Sequence, residues 1–310
     1  MHALCAPITV HLDRPHLSKE AVLPVPVAPV AGGRVHKPHQ PPLCFPSVAE
    51  WWWFALQLFF VCSVQIGEDT LRGTLFPVSR GEAARNAHRL IDLERQLHLF
   101  VEPAWQSAVL GIRAFHGIIS GVLLIHGADL AYGVLHLVVP GGIAAWVYVA
   151  HRHHFGEVRN TFLWTNILAL LGYELFPTAP PRLTHHIIVA GHPYHFVDTM
   201  HHVIGDGRMH GIPLAYNAYS AMPSVHVAWA LIVAMTVFRF HRHRALWLAG
   251  GVYPVLMLAT VVVTANHWLL DAAGAAIDVA VAFAVVTTWE AYKRRRQSVV
   301  MSPEEGMQAA

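Results

Sequence analysis

Charge is scarce in this chain. Only 13% of its 310 residues are Asp, Glu, Lys or Arg, against about 25% in an ordinary soluble protein. A water-soluble globule this poor in charge could hardly cover its surface. The net charge is only +2, which excludes the strongly basic face of a nucleic-acid binder. Cysteine is nearly missing: Cys5, Cys44 and Cys62 all lie toward the N-terminus, and there is no Cys-x-x-Cys. A disulfide-stapled secreted module is therefore excluded. The chain also lacks the polar excess of a disordered protein, being 55% hydrophobic with a mean hydropathy of +0.42. What remains is an integral membrane protein with one membrane-embedded domain.

A helix needs about 20 mostly apolar residues to cross the hydrocarbon core. Trp51 to Ile66, Leu130 to Ala150, Thr161 to Phe176, Val225 to Phe238 with its flanks, and Ala245 to Thr264 meet that description. So does Trp268 to about Trp289, although it carries Asp271 and Asp278. Residues 105–125 form a weaker candidate, Gly-rich and interrupted by Arg113 and His116, suited to the interface or to a re-entrant path. From Arg80 to Val101 the pattern is amphipathic, with Leu90, Leu93, Leu97 and Val101 at helical spacing and Arg85, Arg89, Glu94 and Arg95 elsewhere. This reads as an interfacial helix; packing of the same helix on the spans is the competing reading. The fold class expected is all-α, a polytopic bundle of about six transmembrane helices plus the amphipathic helix. Residues 1–47 hold eight prolines before Phe45 and scattered His, and read as a flexible tail without the apolar core of a signal peptide. Residues 48–292 form the embedded domain, and 293–310 a basic, then polar, cytoplasmic tail.

Lys and Arg in short loops set orientation. Arg152 and Arg159, then Arg239, Arg242 and Arg244, then Lys293 to Arg296 fall on one side if the spans alternate. That side is expected to be the cytoplasm. The long 177–221 segment and the short 264–267 turn then share the opposite face.

Three clusters meet on that opposite face. Tyr173-Glu-Leu-Phe-Pro-Thr-Ala-Pro-Pro-Arg-Leu183 leaves one span, Ala221-Met-Pro-Ser-Val-His226 opens the next, and Asn266-His267-Trp-Leu-Leu-Asp271 starts the last. Arg182 offers a permanent planar donor suited to phosphate. Pro223 suits a helix start, where free N–H groups favour an anion and Ser224 can add a hydroxyl. His267 and Asp271 are four apart, which places them on one helix face and lets the carboxylate hold the imidazole. Taken singly, each residue has an ordinary reading: an interface arginine, a helix-start aspartate, one histidine among 24. Converging in apolar surroundings, they form a candidate site.

The wording Pro-x-Ala-Pro-Pro-Arg, Met-Pro-Ser-x-His and His-x-x-x-Asp resembles the type-2 phosphatidic acid phosphatase superfamily. Ala-Pro-Pro-Arg-Leu and Ala-Met-Pro-Ser-Val-His are most similar to its inositolphosphotransferase branch, which includes inositol phosphorylceramide synthases. Glu94 to Glu102 and Tyr132-x-x-x-His136 support the likeness, which runs from about Arg85 to Val285. The resemblance implies metal-independent, cofactor-free chemistry through a phosphohistidine. His267 would be the nucleophile, Asp271 its orienting partner and His226 the general acid. Arg182 and Ser224 would hold the phosphate, with Pro181, Tyr173, Asn266 and Arg208 as further substrate-binding positions. It also implies a lipid phosphate substrate, an alcohol or water acceptor, and membrane lipids as surroundings. Two departures stand out. Glu174 lies where the superfamily's first motif usually begins with Lys. Thr260 and Val261 stand where a Ser-Arg pair usually precedes the third motif, so that arginine's role passes to Arg208, to backbone groups or to the substrate's own environment.

The chemistry is coherent without the name. A neutral imidazole attacks phosphorus, a protonated one supplies the leaving alkoxide with its proton, and fixed donors carry the charge on the equatorial oxygens. Three functions stand at this stage: a phosphotransferase moving an inositol-phosphate-type headgroup, a hydrolase of phosphatidic acid or polyprenyl (pyro)phosphate, and a lipid binder or transporter that kept the bundle without the chemistry. The active site is expected outside the cytoplasm, on a bacterial-type plasma membrane. Residues 185–210 hold His185, His186, His192, His195, His201, His202 and His210 with Asp198 and Asp206. They lack the spacing of a metal site, and read as a loop over the active site that helps select a headgroup.

Overall fold

The computed structural model describes residues 46–74, 79–114, 119–184, 186–189, 192–199, 208–209, 212–213 and 218–301. Most of the expected tail, the connection at 75–78 and much of the His-rich loop, with His185, His201, His202 and His210, fall outside them. The described helices are α1 (Val48–Thr74), α2 (Arg80–Gln96), α3 (Glu102–Leu110), α4 (Gly121–Ala150), α5 (Arg152–Leu175), α6 (Val225–Phe240), α7 (Arg244–Val263) and α8 (Asp271–Met301). Three two-stranded antiparallel hairpins complete the order: β1 (Arg113–Ala114) with β2 (Ile119–Ser120), β3 (His186–Val189) with β4 (His192–His195), and β5 (Arg208–Met209) with β6 (Ile212–Pro213). The protein is an all-α membrane bundle.

Each helix starts where local chemistry allows it. Ser47 and Glu50 exchange hydrogen bonds around the first turn of α1, a reciprocal cap of 2.7 and 3.4 Å. Ser120 and Ser224 cap α4 and α6 by accepting from the N–H groups of Leu123 and Val227. Among the described residues, three helices are long and apolar enough to cross a membrane: α4, α7 and Asp271–Gln297 of α8. Shorter apolar helices occupy Val48–Val64 and Val225–Phe240. Large apolar side chains face outward along the bundle, among them Trp52, Trp53, Leu130, Leu248 and Ile277. Such exposure is unfavourable in water and natural against lipid tails.

Residues 105–125 are not one span. The helix stops at Leu110, the chain turns through the β1–β2 hairpin, and α4 begins at Gly121, nine residues earlier than the span expected from Leu130. A side chain at Gly121 would stand 2.2 Å from the Val109 carbonyl, so α4 can begin there only with glycine against the end of α3. A π-helical turn at Ala131–Leu135 interrupts α4. The Leu135 carbonyl accepts from the Tyr253 hydroxyl of α7, which satisfies a group in the altered ladder. At its far end α8 continues helical through Lys293–Arg296 to Met301, so the basic stretch is the end of a helix.

One end of the bundle gathers the basic clusters. Arg152 pairs with Glu50 at 2.7 Å, while Glu157 receives Arg239 at 2.7 Å and Arg294 at 3.8 Å. Arg159 reaches Gln57. The helix ends that bear positive charge thus share a face, as the alternation of spans requires.

Two apolar cores divide the described residues. The larger joins α1, α4, α5, α6, α7 and α8 through residues such as Val147, Phe162, Trp229, Val262 and Ala275. The smaller gathers Ala83, Ala87, Leu90 and Ile91 of α2 with Ala179, Ala221, Ala265 and Trp268. Helix α2 is therefore packed on the bundle by the face Ala83, Asn86, Ala87, Leu90, Ile91 and Glu94. Of the apolar stripe, Leu90 packs inward while Leu93 and Leu97 are 45% and 51% exposed, as on a helix at the interface, and Glu94 is fully buried.

Candidate active site

The three motifs converge beneath α2. The first leaves α5 at Leu175 and runs through Pro177 to a single 3₁₀ turn at Pro181–Leu183. Its backbone is tied on several sides. Thr178 N–H donates to the Tyr219 carbonyl at 2.9 Å, and Ala221 N–H to the Thr178 carbonyl at 3.3 Å, which joins the first motif to the second. Ala179 N–H donates to the Ala83 carbonyl of α2 at 3.1 Å, the Asn86 amide donates to the Pro177 carbonyl at 2.9 Å, and the Trp268 indole to the Ala179 carbonyl at 2.9 Å. Arg182 is thereby held with its side chain 11% exposed. Its Nε donates to Asn266 Oδ1 at 2.8 Å, and its guanidinium lies 3.9 Å from the Asp198 carboxylate.

The second motif turns at a cis Met222–Pro223 bond. Pro223 therefore lies before the helix, and α6 begins after the cap Ser224. Gly172 of α5 and Gly274 of α8 form the slot that receives the proline ring: added Cβ atoms there would lie 2.5 Å and 3.2 Å from it. Ser224 is fully buried, its N–H donates to the Asp271 carbonyl at 3.2 Å, and its Oγ accepts from Val227 N–H at 3.4 Å. The next turn carries His226. Tyr132 of the π turn stacks on its ring with centroids 3.9 Å apart, and His136 lies beside it at 4.3 Å. His226 Nε2 is buried with no hydrogen-bond partner among the described residues.

The third motif corrects a geometric expectation. His267 and Asp271 do not share a helix face, because α8 begins only at Asp271 and His267 sits in the turn before it. The turn is made by Ala265 at φ 54°, with the N–H groups of Asn266 and His267 both donating to the Val261 carbonyl. It still brings His267 Nδ1 to 3.3 Å from Asp271 Oδ2. Nδ1 is closer, at 2.7 Å, to the Ala221 carbonyl of the second motif. A carbonyl only accepts, so Nδ1 carries the proton and Nε2 is left with its lone pair. His226 and His267 have ring centroids 5.7 Å apart.

The structure thus brings Arg182, Ser224, His226, Asn266, His267 and Asp271 into one neighbourhood, with Pro181 buried at the head of the arginine's turn. Tyr173 is 3% exposed within the larger apolar core. Arg208 pairs with Pro213 in the β5–β6 hairpin, and its side chain lies outside the described residues. Val261 is fully buried, which leaves no room for the long cation that the resemblance leads one to expect near the third motif. No group of three or more potential metal ligands occurs among the described residues.

Three features went beyond the sequence reading. The Ala221 carbonyl is a backbone acceptor and leaves no trace in side-chain chemistry. Tyr132 and His136, i and i+4 in an apolar helix, were visible only as companions of the motifs. Glu94 and Glu102, fully buried, accept from Leu270 and Leu269 N–H groups at 2.8 Å each.

A family model described as the PAP2 superfamily matches residues 88–285. Comparison with curated proteins and with solved structures finds no match.

Proposed function

The chain belongs to the PAP2 superfamily, a family of phosphatase- and phosphotransferase-type enzymes of lipid phosphates, and from that premise we propose a membrane phosphotransferase that works through a phosphohistidine on His267. The observation that carries the reading is the state of that imidazole: buried, with Nδ1 held by the Ala221 carbonyl and Asp271, and Nε2 left as the nucleophile. His267 Nε2 attacks phosphorus, and the bond from phosphorus to the oxygen of the leaving lipid alcohol breaks. His226 gives its proton to that oxygen, and Asp271 balances the charge that grows on the His267 ring. Arg182, oriented by Asn266, binds the equatorial oxygens with Ser224 beside it. In the second half the neutral His226 takes the proton of an acceptor hydroxyl, whose oxygen attacks phosphorus as the N–P bond breaks.

The group moved is, on this reading, an inositol-phosphate-type headgroup and the acceptor an alcohol. The observation favouring transfer over hydrolysis is the buried Val261, which withholds a second fixed cation and suits a phosphodiester of lower charge than a phosphate monoester. No metal takes part in this scheme. The site opens on the non-cytoplasmic face of a bacterial-type plasma membrane, opposite the end where Arg152, Arg239 and Arg294 gather. The 1–47 tail and the segment after 292 stay outside the catalytic unit.

A labelled phosphatidylinositol-type lipid, offered to purified protein with and without an alcohol acceptor, tests the proposal. Label should move to the alcohol, and a quenched reaction should carry acid-labile label on protein that vanishes in His267→Ala. Release of phosphate alone from lipid monoesters, whatever alcohol is present, assigns the protein to the hydrolases. Equal turnover by His267→Ala removes the mechanism.

A further inference from the structure

The N-terminus of α8 has an unusual cap. Three consecutive N–H groups, those of Trp268, Leu269 and Leu270, each donate to a different carboxylate: Asp271 Oδ2, Glu102 Oε1 and Glu94 Oε1, every bond 2.8 Å long. All three carboxylates are fully buried. They come from three elements, α8 itself, the start of α3 and the last turn of α2. The capped turn is the one that carries His267.

One such cap would be ordinary, because helix N-termini favour anions. Three buried negative charges on one turn would repel one another, and buried carboxylates are costly when uncompensated. The hydrogen-bond pattern resolves the conflict. Each glutamate spends Oε1 on the turn, and Oε2 of each meets no donor among the described residues. Capping the adjacent N–H groups of Leu269 and Leu270 sets the two carboxyl groups side by side, each with a buried oxygen to spare. Two acceptors can bond only if a proton lies between them.

We propose that Glu94 and Glu102 are positioning residues, a carboxyl–carboxylate pair sharing one proton, whose two outward oxygens fix residues 268–270 and so aim His267 at phosphorus. The inference rests on the phosphohistidine reading for its catalytic part, and for the shared proton on two fully buried carboxyl groups that cap adjacent N–H groups and each keep an oxygen without a donor among the described residues. Glu94 is the protonated member. Burial, the nearby Glu102 charge and, more weakly, Asp271 push its carboxyl up to about 9, against the opposing Leu270 N–H. Glu102 is also raised, chiefly by burial, and accepts from Glu94. The ionisable groups that face Glu94 are Glu102 from α3 and Asp271 from α8.

The arrangement couples the surface to the chemistry. Helix α2 lies on all three motifs through Ala179, Ala221, Ala265 and Trp268, and Glu94 is its polar rivet. Moving α2 by an ångström would move the turn of His267 with it, and a misplacement of that size costs on the order of 10²-fold in rate.

Conservative variants separate position, charge and proton. Glu94→Gln keeps an acceptor for Leu270 N–H and gains a permanent donor toward Glu102, so it should fold and keep kcat within about threefold. Glu102→Asp keeps the charge and withdraws the oxygen by one methylene. It should lose at least about tenfold in kcat with KM within about threefold, the sign of a misaimed group. The proton has a readout independent of turnover. A carboxyl whose folded pKa is raised stabilises fully below its unfolded pKa, and that stability is lost as pH rises through the folded value. Between about pH 4.5 and 9 the wild type should therefore lose thermal stability in detergent that Glu94→Gln keeps, the two curves meeting at pH 5 and parting by pH 9. Parallel curves, a Glu94→Gln protein that does not fold, or a Glu102→Asp enzyme with wild-type kcat would each overturn the assignment. Should the wild type turn over no lipid phosphate, the function proposed above fails, and the stability curves still decide the shared proton.

Discussion

Replacing Asp271 by Asn removes one charge and almost nothing else. Oδ2 of Asp271 accepts from Trp268 N–H at 2.8 Å and lies 3.3 Å from His267 Nδ1. An amide oxygen in the same place keeps both relations, and the amide nitrogen takes the place of Oδ1, which has no partner among the described residues. At an effective dielectric of about 20, a full positive charge on the ring and the carboxylate 3.3 Å away attract by roughly 5 kcal/mol. If about half the charge has developed at the transition state, the loss is about 2–3 kcal/mol, or on the order of 10²-fold in rate. The comparable change in serine proteases costs about 10⁴-fold, because there the tautomer is lost as well. Here the Ala221 carbonyl, 2.7 Å from Nδ1, holds the proton whichever residue stands at 271. Initial rates on a lipid phosphate should show kcat down by about 10² with KM nearly unchanged. A rate within threefold of wild type would refute the charge argument. A fall of 10⁴ or more would refute the role given to Ala221.

The glycine slot around Pro223 gives a graded test. Gly172→Ala puts a methyl 2.5 Å from the ring and Gly274→Ala one 3.2 Å away, so the first should cost more of the about 1–3 kcal/mol typical of overpacking; thermal unfolding in detergent reads the order, and equal midpoints would contradict it. In a background without Cys5, Cys44 and Cys62, a cysteine at Thr184 should react with an impermeant reagent on intact cells and one at His241 should not; the reverse pattern would turn the bundle over. Turnover should survive prolonged treatment with a chelator, because Arg182 and its Asn266 partner take the part of a divalent ion on the phosphate; activity restored by added magnesium or zinc would refute that scheme.

Much of the site was legible because its residues are chemically expensive. Arg182, His226, His267 and Asp271 stand out in a chain with so little charge, and alternation of the spans places them at one depth. The helices were legible for the same reason, since an apolar run of span length has few other uses. What the apolar stripe on α2 did not reveal is the second face, packed on the bundle through Ala83, Ala87, Ile91 and Glu94. In water, Leu90, Leu93 and Leu97 would define the inside. At a membrane surface the outside is also apolar, so Leu93 and Leu97 can face lipid while Glu94 turns inward to a backbone donor. The four-residue spacing of His267 and Asp271 gave the right neighbours by the wrong route, through a turn at Ala265 that no periodicity announces. The break at 111–120 was signalled by the glycines and Arg113, yet its hairpin geometry depends on the fit of Gly121 against α3.

The carboxylate cap bears on where phosphate goes. A helix N-terminus is a ready anion site, and two of them, those of α6 and α8, adjoin, with Ser224 N–H donating to the Asp271 carbonyl. Were both free, a phosphate could settle on the turn before Asp271, beside the nucleophile and out of line with it. Asp271, Glu102 and Glu94 occupy the N–H groups of residues 268–270, and the negative charge of Asp271 and of the proton-sharing glutamate pair repels an anion from that end. On the α6 side the cap is a neutral hydroxyl, Ser224, and the neighbouring cation is Arg182, tied by its backbone N–H to the Ala265 carbonyl and by its side chain to Asn266. In the proposed mechanism, one helix end therefore repels phosphate and the other admits it. On the proposed mechanism this asymmetry sets the line of attack: phosphorus is held from the α6 and Arg182 side, and His267 approaches it from the turn that the three carboxylates keep rigid.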